Sequence, residues 1–172
     1  MIIPAVLITP RRTPLLAAKL VTLTAAGLAF GLLATGAAAA IGLPILAARH
    51  VMSQVGGAQL AGIIVGGAVA TALCAALGVG VGTVIRNQVG AIIAVLALLY
   101  VAEPLLGFVP GAGTAVQKFG LGGLASGATG TTGFPASAHL LGQAPAALTL
   151  GGYALTVLLI GAVSLSRRDI TT

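Results

Sequence analysis

The chain has 172 residues, of which 58% are hydrophobic and 6% charged, with eight Lys and Arg against two Asp and Glu. An ordinary soluble domain carries about 25% charged residues, and a domain of this length leaves far more surface in water than ten charges can cover. The composition excludes a water-facing globule, and the basic residues, scattered at the ends of apolar runs with no basic stripe or interleaved aromatics, exclude a nucleic-acid surface.

A bilayer core about 30 Å thick requires roughly 20 apolar residues in helix. Four runs satisfy this, at 20–40, 60–85, 89–109 and 146–165, and they predict an all-α, polytopic transmembrane helix bundle in a single domain. The first, Leu20 to Ala40, follows Arg11, Arg12 and Lys19. The second, Leu60 to Ile85, is rich in glycine and stops at Arg86, Asn87 and Gln88, a polar turn from which the third starts at once. Residues 110–145 form a loop outside the cytoplasm with nine glycines, yet it also carries Phe119, Leu121, Leu124, Phe134, Leu140 and Leu141. That apolar content fits a re-entrant segment, or one packed on the spans; the alternative is a disordered Gly/Thr-rich loop. The fourth run stops at Arg167, Arg168 and Asp169.

Orientation follows from the basic residues. With the N-terminus inside, Arg11, Arg12, Lys19, Arg86, Arg167 and Arg168 share one side, and Arg49 and Lys118 the other. The excess predicts both termini in the cytoplasm, and an even number of spans independently requires them to share a side. Within the spans, Gly27 with Gly31, Gly62 with Gly66, and Gly78 with Gly82 stand four apart on one helix face, the spacing that lets backbones approach closely in lipid. A chain with 26 glycines also yields such spacings by chance. The single cysteine, Cys74, lies inside an apolar run and reads as a buried structural thiol.

Few residues are equipped for chemistry. Only Glu103, Asp169, His50 and His139 could serve as acids or bases, and no catalytic pair or metal cluster emerges from their positions. Neither lysine follows glycine as a P-loop requires, so the chain has no ATP site of that kind and no cofactor site is expected. The run Gly120, Gly122, Ala125 imitates a dinucleotide fingerprint without its preceding strand. Arg11 and Arg12 before an apolar run ending in Ala37 to Ala40 imitate a twin-arginine export signal, but three further apolar runs follow in place of a polar mature protein. Glu103 is the one ionisable residue inside a predicted span, about 21 Å of helix from Val89. With Pro104 it reads as part of a substrate path or a hinge, or else as an interfacial anchor.

Four stretches in order resemble the permease subunits of ATP-binding-cassette (ABC) exporters of the type-2 class. They are Thr9, Pro10, Arg11, Arg12 with Ala18, Lys19, Leu20 before a span; Arg86, Asn87, Gln88 at a tight turn; Glu103, Pro104, Leu105 late in the next span; and Arg167, Arg168, Asp169 at the end. The resemblance implies a dimer of permease copies driven by a separate cytoplasmic ABC ATPase subunit, with Thr9, Pro10, Arg11 and Arg12 in the segment that docks on the ATPase. It also implies an N-terminally truncated permease, because family members have six spans and this chain opens where the second should be ending. The expected function is therefore a permease subunit, not itself an enzyme, in the cell (inner) membrane. A small multi-span scaffold or assembly protein without transport activity is the alternative.

Overall fold

The computed structural model describes residues 12–48, 56–85, 87–131 and 140–166. All regular structure among them is helical, and four helices are long and apolar enough to cross a membrane. In chain order we label α1 Arg12–Ala48, α2 Gly57–Val84, α3 Gln88–Ala97, α4 Glu103–Gly107, α5 Gly113–Phe119, α6 Leu121–Thr129 and α7 Gln143–Ser166. A π-helical turn, Leu98–Ala102, joins α3 to α4 so that Gln88–Gly107 forms one continuous span.

The first helix exceeds its predicted bounds at both ends. At 37 residues it is about 55 Å long, well over a bilayer core. Pro14 falls in its first turn, where a missing N–H costs little, and Pro44 lies inside its last turns, so neither proline ends it where the apolar run alone suggests. The sharp turn between α2 and α3 has a local cause. Ile85 closes α2 in extended conformation, and the Asn87 side chain accepts a hydrogen bond from the Val89 N–H at 3.1 Å, capping α3. Gln88 is the first residue of α3, and Arg86 lies outside the described residues.

Small residues set how the long helices meet. A methyl group added at Gly27 would stand 2.8 Å from the Ala75 Cβ, and one at Gly31 2.7 Å from the Ala68 Cα. The Thr35 hydroxyl lies 3.5 Å from the Ile64 carbonyl oxygen, so α1 and α2 run antiparallel. The contact is reciprocal: Thr71 stands over Gly31, and the Thr35 methyl stands over Gly67. Each threonine hydroxyl donates back to its own helix, Thr35 to the Gly31 carbonyl at 2.7 Å and Thr71 to that of Gly67 at 2.8 Å. A Gly-x-x-x-Thr unit on each helix thus presents a bare backbone to the other's threonine, whose polar group is already satisfied in an apolar setting.

Along α2 and α7 the same device recurs with the helices parallel. Gly62 meets Gln143, Gly80 meets Val157 and Leu158, and Thr83 stands over Gly161. One antiparallel and one parallel relation place Arg12, Val84 and Ser166 at one end of the bundle and Ala48, Gly57 and Gln143 at the other. Gly78 and Gly82 have open space around them, so the close approach on that stretch of α2 belongs to Gly80, two residues off the predicted pair. Cys74 corrects another expectation. It is exposed on the outside of α2, because α1 and α7 take the faces on either side of it.

The loop 110–145 is not structureless. Residues 113–129 form a helical hairpin, α5 and α6, and α6 wedges between α2 and α7. Leu124 and Ala128 of α6 are wholly buried with Ala70, Ala146 and Leu150. Leu124 and Ala128 belong to a core layer with Leu121 and Leu141 packed against it, Phe119 is exposed, and Phe134 lies outside the described residues; fixing Leu124 in this layer gains close contacts that a solvated loop lacks.

Candidate functional site

Three half-buried polar residues, Glu103, Gln117 and Lys118, meet at the tip of the hairpin, and the backbone explains how they arrive. Gly127 stands against Ala146, and the Tyr153 hydroxyl donates to the Phe119 carbonyl at 3.3 Å, so α6 runs antiparallel to α7. Tyr153 is ten residues beyond Gln143, about 15 Å along a helix of 24 residues. The tip at Phe119 to Leu121 therefore reaches nearly halfway down α7.

Glu103 meets that tip. The Leu121 N–H donates to its Oε1 at 2.5 Å and the Gly122 N–H to its Oε2 at 3.0 Å. Those two amides belong to the first turn of α6, where backbone donors have no partner within the helix and the dipole favours negative charge. Glycine makes the seat accessible: a methyl at Gly120 would stand 3.0 Å from the Glu103 Cδ, and one at Gly122 2.9 Å from Oε2. The glycine spacing that imitates a dinucleotide fingerprint thus serves an internal carboxylate.

Pro104 shapes the delivery of that carboxylate. Its ring crowds the carbonyl one turn back and offers no N–H to it. The turn before it is widened, with the Glu103 N–H reaching back five residues to the Leu98 carbonyl, which relieves the crowding. Lys118, in the last turn of α5, and Gln117 complete the polar residues of the tip. Among the described residues Glu103 is the only carboxylate, and both its oxygens are held by amides. The arrangement suits a fixed anchor better than a free general base. The described residues contain no group of three or more His, Cys, Asp and Glu that could hold a metal ion.

A second feature lies at the other end of the hairpin. An open groove of about 330 Å³ is lined by Gly62, Val65, Gly66 and Val69 of α2, Ala128 of α6, and Gln143, Ala144 and Ala147 of α7. Its polar edge is Gln143, whose Nε2 donates to the Gly62 carbonyl at 2.6 Å. Gly66 is indispensable to this closure, for a methyl there would collide with the Gln143 amide and the Ala128 carbonyl. Gly62 has more room, 3.6 Å to the Gln143 Oε1.

Of the residues singled out in the sequence, the structure brings Glu103 and Pro104 to the hairpin, Gly27 and Gly31 to α2, and Gly62 and Gly66 to the groove. Thr9, Pro10 and Arg11 lie outside the described residues, and Arg12 opens α1. Gln143, Tyr153 and the threonines Thr35, Thr71 and Thr83 are missed by the sequence reading. A Gly-x-x-x-Thr search in the apolar runs would have found the first two threonines.

No family model matches the chain, and neither does any curated protein or solved structure.

Proposed function

We propose that the chain is a membrane-spanning permease subunit of an ABC exporter of the type-2 class. In this reading it sits in the cell membrane as a multi-pass protein with both termini in the cytoplasm, pairs with a second permease copy, and couples to a separate ATPase subunit. The observation that carries it is the order of four motifs along the chain: Thr9 to Arg12, Arg86 to Gln88, Glu103 to Leu105, and Arg167 to Asp169. Each falls at or near an end of a long helix, and a shared side for Arg12, Asn87 and Ser166 agrees with the cationic excess that marks the cytoplasmic face. The segment from Thr9 to Arg12 is then the ATPase-docking element. The clasped outer part of the third span, with Glu103 and Pro104, lies beside the path.

The test is co-purification from native membranes in mild detergent. A nucleotide-binding subunit is expected to accompany the chain, and Arg11→Glu with Arg12→Glu is expected to lower its yield severalfold, because charge reversal at an interface opposes docking. An unchanged yield would contradict the docking assignment. Recovery of the chain with no ATPase would favour a scaffold.

A further inference from the structure

The continuous span Gln88–Gly107 has little of its surface buried within the chain, and its inner part, α3, packs on α2 only weakly. Its firm attachments lie at the outer end, where α4 packs on α5 and Glu103 holds α6. Between the loose and the held parts stands the π-helical turn Leu98–Ala102, followed by Pro104. From this arrangement we infer that Glu103 is a positioning residue that clasps the third span to the hairpin, holding α4 and α5 to α6, itself wedged between α2 and α7, while α3 pivots at the π turn.

Three features of the geometry support the clasp. Both carboxylate oxygens are used, each on a separate amide of one helical turn, which fixes orientation as well as distance. Gly122 is needed because the carboxylate is there, since a methyl would meet only Glu103 Oε2, whereas one at Gly120 would crowd the Val116 carbonyl as well as the carboxylate. The outer end of the hairpin forms the Ala128 wall of the groove beside Gln143, so the clasp ties the third span to the packed end of the bundle. The inference concerns this chain's own mechanics and holds whether or not the chain serves transport.

Hydrogen exchange of the full chain in lipid nanodiscs tests it. Glu103→Ala is expected to speed exchange at residues 121–124 by about tenfold or more, the loss of two charge-assisted bonds in an apolar setting, while α2 and α7 keep their protection. Gly122→Ala in the presence of Glu103 is expected to speed exchange at the same residues, because its methyl displaces Oε2. Added to Glu103→Ala it is expected to have no such effect or to slow exchange, since alanine favours helix over glycine once the carboxylate is gone. That reversal of sign separates a clasp from a general packing role. Unchanged exchange in Glu103→Ala, or the same increment from Gly122→Ala in both backgrounds, would overturn the inference. Uniform loss of protection through α2 and α7 in both Glu103→Ala and the near-isosteric Glu103→Gln would also overturn it, by making the side chain a determinant of the whole fold.

Discussion

Gly31→Ala is expected to destabilise the packed bundle by about 1–3 kcal/mol, in the range of overpacked cores. The added methyl would stand 2.7 Å from the Ala68 Cα and 3.0 Å from the Gly67 carbonyl oxygen, besides colliding with the Thr71 hydroxyl. Two of those three neighbours are backbone, so no rotamer change relieves them and the helices must separate. In lipid that separation is costly, because helix association there rests on close contact with no gain from expelling water. Gly67→Ala offers the contrasting case. Its methyl would collide only with the Thr35 methyl, the Thr35 Cβ being 3.5 Å away. Thr35→Ser removes the offending group and keeps the hydroxyl, so the double variant is expected to recover most of the stability that Gly67→Ala loses. Gly31→Ala is expected to resist rescue by Thr71→Ser. Thermal or SDS-driven unfolding in detergent measures all four variants, with Gly78→Ala, which meets open space, as a neutral control.

Leu124→Ala is the second large effect. Leu124 is fully buried in a cluster with Ala70, Ala128, Ala146 and Leu150, and the alanines there have no side chain long enough to fill the void. Truncation is expected to cost about 2–5 kcal/mol, as for buried leucines elsewhere. The loss should fall first on the hairpin, because Leu124 is the side chain by which α6 wedges between α2 and α7. Limited proteolysis near residues 110–131 is expected to accelerate before the long helices unfold; simultaneous cleavage throughout would contradict that order.

The long helices were legible because length and apolarity alone decide them, and neither depends on partners. Their ends were less so: α1 runs past Leu20 and Ala40 since alanine-rich flanks and permissively placed prolines continue a helix whatever the apolar run does. The loop 110–145 showed its apolar residues but not its fold. Helices of seven and nine residues interrupted by glycine carry too little periodic signal to be read, and α6 is held by Leu124 against residues far away in sequence. Glu103 drew attention as an intramembrane acid, yet its partners stand 18 and 19 residues on and are backbone amides, which no side-chain pattern announces. Cys74 misled for a related reason. An apolar run in a membrane helix has an outer face as apolar as its inner one, so hydropathy does not separate buried from lipid-facing positions.

The four long helices are expected to cross a bilayer in alternation, with the start of α2, the end of α6 and the start of α7 on one side and the α2–α3 turn on the other. Single cysteines introduced on a Cys74→Ser background, as Gly56→Cys, Thr131→Cys, Gly142→Cys and Asn87→Cys, report this directly, since all four positions are exposed. A membrane-impermeant maleimide applied to sealed cells is expected to label the first three alike and Asn87→Cys only after permeabilisation. Labelling of Asn87→Cys together with Gly142→Cys from the outside of sealed cells would contradict the arrangement.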